Sequence, residues 1–263
     1  MTDRRILEST EELCMKLRHM KLSGMADELE RQNNDPNHDL VSFDERLNGI
    51  INAEWNLRYN KKLNRFIKKA TLRYPEADLD DAIYDPARQL DTDTIERLSK
   101  CSWIEEGRNL LVTGASGSGK SYIANALCIC ALRQFKTVRY SKTSTLIYEL
   151  EKADLEKTHL EYISKLVKLD LVVLDDFGLM DLDPDKCRNL FELIDAREGR
   201  KSIIVISQLP VSSWYELFKD NTYADACLDR LVNRAQTADL RTRGVGTFGT
   251  ASTETPTVPK RRC

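Results

Sequence analysis

A chain of 263 residues, 41% hydrophobic and 31% charged, has room for one α/β domain with a smaller appendage and enough polar surface to stay in water. Its net charge of −2 points to no nucleic-acid partner, and with no run of 18 apolar residues it offers no membrane span. The start, Met1-Thr2-Asp3-Arg4-Arg5, lacks a secretory apolar stretch, and the seven cysteines are odd in number, scattered and free of C-x-x-C pairs. A cytoplasmic protein with reduced thiols, and no disulfide framework or zinc site, is expected. The three histidines stand far apart.

Residues 1–75 read as helical, with Leu13, Leu17 and Met20, then Leu22, Met25 and Leu29, at helical spacing. Ser42 with Glu45 three residues on predicts a capping box that opens a long helix running to about Thr71. Between Trp55 and Pro75 lie seven Lys/Arg and no Asp/Glu. Six of them, Arg58, Lys61, Lys62, Arg65, Lys68 and Lys69, share one helix face, and Trp55, Tyr59, Leu63, Phe66, Ile67 and Ala70 take the other. Solvated helix faces normally mix signs. A single-sign row suits the phosphate backbone of a duplex, with little sequence preference because no base-reading element accompanies it.

Residues 76–108 hold ten Asp/Glu against four Lys/Arg and include Pro86. They read as a linker with a short helix near 92–100. From 109 onward, helices alternate with β-rich runs at 109–113, 136–141, 170–175, 202–206 and 236–241, which predicts a mainly parallel sheet covered by helices. Residues 247–263 are rich in Thr, Ser and Pro and are expected to be a disordered tail. The short basic run Lys260-Arg261-Arg262 adds no signal.

Gly114-Ala115-Ser116-Gly117-Ser118-Gly119-Lys120-Ser121 matches the phosphate-binding loop G-x-x-x-x-G-K-[ST]. A chain of this length meets that pattern by chance roughly once in a hundred times. Here a strand, Asn109 to Thr113, precedes it and an apolar helix from Tyr122 follows, which is the order the chemistry needs. Backbone N–H groups and the positive helix terminus receive the phosphates, Lys120 reaches the β- and γ-phosphates, and the Ser121 hydroxyl ligates Mg²⁺.

Asp170-Leu171-Val172-Val173-Leu174-Asp175-Asp176 is a buried strand ending in acids, the Walker B pattern. Asp175 is placed at the metal and Asp176 beside the γ-phosphate, able to orient water. The strand Ser202–Ile206 ends in Ser207-Gln208, a polar pair suited to sensing the γ-phosphate. Arg230, next to Asp229 on an amphipathic helix, suits a finger offered to a neighbouring subunit's nucleotide, though a surface ion pair is the commoner fate of an arginine.

These strings resemble one group closely. Leu111-Val112-Thr113-Gly114 through Tyr122, Leu174-Asp175-Asp176-Phe177-Gly178-Leu179, Ser207-Gln208-Leu209-Pro210 with Trp214, and Ala224-Asp225-Ala226 through Leu231 are similar to the IstB-like transposition helper ATPases of insertion sequences. Phe43-Asp44-Glu45-Arg46-Leu47 and Ala53-Glu54-Trp55 extend the similarity to roughly residues 10–245. That group stands with DnaC and DnaA among the AAA+ ATPases.

The resemblance implies a P-loop three-layer sandwich with a parallel five-stranded sheet, arranged as a helical N-terminal domain at 1–75, a linker at 76–108, an ATPase core at 109–246 and the tail. It implies an ATP- and Mg²⁺-dependent protein that self-assembles on duplex DNA and serves a partner transposase. Arg230 becomes the finger in trans, and Gln208 or Ser207 the first sensor. Asp175-Asp176 stands where most of the wider superfamily has Asp-Glu, which implies slow turnover. Few residues follow the last strand, so a C-terminal lid is not expected, and Arg241 and Arg243 are weak candidates for a second sensor. A DnaC-like helicase loader is the alternative function, and a metabolic P-loop kinase lacks an evident acceptor site here.

Overall fold

The computed structural model describes residues 9–37, 40–81, 92–233 and 235–240. Residues 241–263, which include Arg241, Arg243 and the expected tail, and residues 82–91 of the linker lie outside that set.

Three helices come first: α1 (Thr10–His19), α2 (Ser23–Asn33) and α3 (Phe43–Ala70). α3 opens as predicted, with the Ser42 hydroxyl accepting from Glu45 N and the Glu45 carboxylate accepting from Ser42 N. α2 crosses α3 at a glycine. A Cβ on Gly24 would lie 2.9 Å from both Ala53 O and Glu54 Cα, so any side chain there forces the helices apart. The buried Glu54 carboxylate accepts from Gly24 N (2.8 Å) and Arg58 Nε (2.6 Å), tying the start of α2 to α3.

The two halves of α3 have different surroundings. Phe43, Leu47, Ile51 and Trp55, each four residues apart, stay exposed, Trp55 by 70%. The sequence pattern put Trp55 with the apolar face, but α2 crosses at Ala53 and Glu54, one position round the helix, and leaves the indole in solvent. Farther along, Leu63, Phe66 and Ile67 pack on the sheet's own core, where Ala70 is fully buried. Phe135 seats against this half, with the Tyr59 ring 5.1 Å away and Lys62 Nζ 3.7 Å from its centroid.

Short helices α4 (Thr92–Ser99) and α5 (Ser102–Glu105) lead into β1 (Leu110–Gly114). Then follow α6 (Lys120–Arg133), β2 (Val138–Lys142), α7 (Thr143–Leu155), α8 (His159–Val167), β3 (Leu171–Phe177), α9 (Pro184–Arg197), β4 (Ser202–Ser207), α10 (Asn221–Val232) and β5 (Gln236–Leu240). The five strands pair in parallel in the order β2-β3-β4-β1-β5.

Successive strand residues point to opposite faces, so Leu110, Val112, Val173 and Ile204 join the core under α3–α6. Leu111, Val172, Leu174 and Val205 join the core under α7–α10. Both faces are covered, which is why the strands read as continuous apolar runs and not as alternating ones. Two helical layers enclose one sheet, the three-layer arrangement expected.

Two buried side chains pin the sheet at its N-terminal rim. Arg197 donates to the carbonyls of Leu166, Leu169, Asp170 and Ser202, and burial pulls its guanidinium down to about 10. Asn109 Nδ2 donates to Arg230 O (3.1 Å) and Leu231 O (3.2 Å), while its Oδ1 accepts from Ile203 N (3.0 Å). All six described cysteines are free, five of them buried, and burial pushes the Cys101 and Cys227 thiols up to about 12.

The helix crossing gives a direct check. Burial works against the Glu54 carboxylate, yet Arg58 and the Gly24 and Met25 N–H groups hold it below its usual range. A lowered native value means that stability is present above the unfolded pKa of about 4.3 and lost as pH falls through the native one. Gly24→Val should lower the thermal midpoint of this helical region by several degrees, read by circular dichroism. Glu54→Gln should flatten the loss of stability on the acid side.

Candidate nucleotide site

In this strand order β4 lies between β1 and β3, so the C-terminal ends of all three converge on one crevice, the usual ligand position in an open parallel sheet. A cavity of about 610 Å³ occupies it, with Ser116, Gly117, Gly119, Lys120, Ser121, Tyr122, Asp175, Asp176, Ser207 and Gln208 in its wall. Four further residues, Arg73, Tyr74, Lys142 and Ile206, complete the wall.

The loop is shaped by its backbone. Gly117 (φ +77°) and Gly119 (φ +89°) take left-handed conformations, and a Cβ at either would meet nothing within 4 Å. Glycine is needed there for conformation and not for space. Lys120 Nζ folds back onto Ala115 O at 2.6 Å. Burial lowers the Lys120 pKa, and Asp175 and Asp176 oppose that shift.

Across the crevice, Asp175 is only 1% exposed, and its carboxylate is fully engaged. Oδ2 accepts from Ser121 Oγ at 2.9 Å and from the Tyr140 hydroxyl, and Oδ1 accepts from Asp176 N at 2.8 Å. Burial, then the bond to Asp175, pushes the Tyr140 phenol well above its ordinary range, so it remains a donor.

Adjacent strand residues should face opposite ways, yet Asp175 and Asp176 both line the cavity. The β3–β4 register shifts between Leu174 and Phe177, and Asp176 sits at φ +57°. This bulge turns the second carboxylate toward the site, where Lys142 Nζ lies 3.2 Å from Asp176 Oδ2. Ser121 Oγ and Asp175 are hard oxygen donors within one hydrogen bond of each other, a donor pair that fits Mg²⁺ completed by phosphate and water. Among the described residues no cluster of three or more His, Cys, Asp or Glu stands ready to hold a metal by itself.

Residues 15–244 match the family model described as IstB-like ATP binding protein. The chain belongs to the IstB-like ATP-binding protein family. It is 36% identical to the insertion sequence ATP-binding protein y4pL of Sinorhizobium fredii, over 86% of this chain and 91% of that one. It is 37% identical to the ATP-binding protein of insertion sequence IS1162 of Pseudomonas fluorescens, over 78% and 88%. Among solved structures, the DnaC helicase loader superposes with a TM-score of 0.55 at 19% identity, covering 64% of this chain and 98% of that one. AMPPCP-bound DnaA from Aquifex aeolicus superposes at 0.53 with 16% identity, covering 63% and 50%. These two share the fold, a P-loop domain of the AAA+ kind.

The remaining sequence-derived candidates fall in distinct places. In this IstB-like chain, the Ser207 hydroxyl donates to Phe177 O (2.7 Å) and accepts from Leu209 N (3.1 Å), holding the strand tips together. Gln208 is the exposed polar side chain of that pair on the cavity wall. The resemblance strings meet in space, with the Phe177 ring 4.8 Å from Trp214.

Arg230 does not line the cavity. Its backbone is held by Asn109 at the N-terminal rim, and its guanidinium pairs with Asp195 (2.8 Å) and Glu198 (3.2 Å) on the α9 side. Of the basic row, Arg58 bonds Glu54 and Lys21 O, and Lys62 covers the Phe135 ring. Lys61, Arg65, Lys68 and Lys69 are exposed on α3. No helix among the described residues is long and apolar enough to cross a membrane.

Sequence reasoning missed Arg73, Tyr74, Tyr140 and Lys142. Arg73 was visible only as one more member of a basic run, and the others carried no motif.

Lys120→Ala should weaken ADP and ATP alike, by about tenfold to a hundredfold, as expected when a charge-assisted hydrogen bond to phosphate is removed. Titration calorimetry measures both affinities.

Proposed function

We propose that the chain is an ATP-driven transposition helper that assembles on duplex DNA and presents it to a partner transposase. The observation that carries this reading is the exposed, acid-free row Lys61, Arg65, Lys68 and Lys69, on a helix whose next residues run into the wall of the ATP cavity. Four cations along one helix face suit phosphates two to three turns apart, and a helix that ends at the nucleotide can report which nucleotide is bound. The exposed stripe of Phe43, Leu47, Ile51 and Trp55 supplies an apolar surface suited to a protein partner. The family match spans both α3 and the ATPase core, which favours the helper over the loader reading.

For hydrolysis, Asp176 is the candidate to orient a water and receive its proton as oxygen attacks the γ-phosphorus and the bond to the β-bridging oxygen breaks. Lys120 neutralises charge on the leaving phosphate. Ser121 and Asp175 would hold Mg²⁺, which when bound supplies positive charge to the β- and γ-phosphates. Gln208 is placed to sense the terminal phosphate. β1 spans five residues, about 16 Å, between the rim that holds Arg230 and the loop, so Arg230 suits only a neighbouring copy's nucleotide. To act there it must leave Asp195 and Glu198.

Replacing Lys61, Arg65, Lys68 and Lys69 together with Ser should weaken duplex binding and flatten its salt dependence, the log–log slope falling by about 0.9 for each phosphate no longer neutralised. Fluorescence anisotropy across a salt series reads this, and an unaltered slope would sink the DNA assignment. Arg230→Ala should keep ATP affinity and lose turnover at least about tenfold in a phosphate-release assay. Full turnover in that variant removes the finger role.

A further inference from the structure

Arg73 stands in the cavity wall, yet it belongs neither to the phosphate loop nor to a sheet strand. It comes from the segment that follows α3. Thr71 ends that helix in a left-handed conformation (φ +55°), which turns the chain from the basic helix toward the crevice.

Two hydrogen bonds fix the segment. The Thr71 hydroxyl donates to Tyr140 O at 2.8 Å, and Tyr74 N donates to Asn125 Oδ1 at 3.2 Å. Each anchor is one step from the machinery. Tyr140 donates through its own hydroxyl to Asp175, and Asn125 Nδ2 donates to Ser121 O at 2.6 Å. Between the anchors the Arg73 guanidinium lies 5.4 Å from the Tyr74 ring centroid.

The other two cations of the wall are already held, Lys142 by Asp176 and Lys120 by Ala115 O. Arg73 forms no ion pair among the described residues, although it feels the acids of the site. Tyr74 above all, then Tyr140, Asp175 and Asp176, raise its pKa against the effect of burial. An exposed guanidinium facing a polyphosphate cavity can take two oxygens of one phosphate at once, which a lysine cannot do.

We propose that Arg73 binds the terminal phosphate of ATP from within the same subunit, and that the Thr71–Tyr74 segment carries that contact to the last turns of α3. This rests on the reading of the cavity as the ATP site. ADP lacks the phosphate that Arg73 would grip, so the segment is drawn in with ATP and released after hydrolysis. Lys68 and Lys69 lie within three residues of Thr71, so the end of the basic row moves with it.

The test compares wild type, Arg73→Ala, Arg73→Lys and Lys120→Ala, each with Mg²⁺ and either ADP or the non-hydrolysable β,γ-methylene analogue of ATP. Calorimetry should show Arg73→Ala losing about tenfold to a hundredfold for the analogue and less than about threefold for ADP. Retained ADP binding also shows that the variant folds, and Arg73→Lys should recover part of the loss. Hydrogen exchange over residues 66–72 should slow with the analogue but not with ADP in wild type, and that difference should vanish in Arg73→Ala.

Equal losses for both nucleotides, no loss for either, or analogue protection of residues 66–72 that survives in Arg73→Ala would each overturn the proposal. If Lys120→Ala binds both nucleotides normally, the reading of the cavity itself fails, and the proposal with it. None of these readouts depends on DNA binding, so they stand apart from the helper reading.

Discussion

The buried carboxylate of Asp175 is the point on which the site is built. A charged group at 1% exposure must find donors, and those that satisfy it come from three different elements. Ser121 belongs to the helix that follows the phosphate loop, Tyr140 to the edge strand β2, and the Asp176 amide to the bulge at the end of β3. The Asp175 carbonyl accepts from Thr143 at the start of α7 as well. One residue therefore fixes the distance between loop and acid strand and orients the edge strand beside them. The bulge that brings Asp176 into the cavity is local strain kept in place by the same contacts.

The architecture was legible where the physics is local and periodic. Five apolar runs between helices gave a parallel sheet, and Ser42 with Glu45 marked the start of the long helix because a capping box is written in four residues. The loop and the acid strand were legible because phosphate chemistry demands those residue types in order. What escaped is set by tertiary placement. Nothing in Asp175-Asp176 reveals a register shift, since a bulge depends on how β4 pairs with β3. Arg58 looked like one more cation in a row until the helix crossing at Gly24 placed Glu54 beneath it. Trp55 looked like packing material until α2 crossed one position away.

The helical region and the sheet share a hydrophobic interior. Phe66, Ile67 and Ala70 pack with Ile123, Leu127 and Val138, and Tyr59 donates to the Arg133 carbonyl at 2.8 Å. A helix seated this way cannot swing freely as a tethered arm. Its exposed cations hold a fixed attitude to the phosphate loop. Rigid seating gives the polar face of α3 an orientation, which a flexible basic tail of equal charge would lack.

Asn109 gives β1 a second use. Its amide grips the last turn of α10 and, through Ile203, the start of β4, while the opposite end of the same strand opens into the phosphate loop. A hydrogen-bonded strand in mid-sheet transmits displacement with little give. Tension applied to α10 would thus arrive at the phosphate loop along a stiff strut.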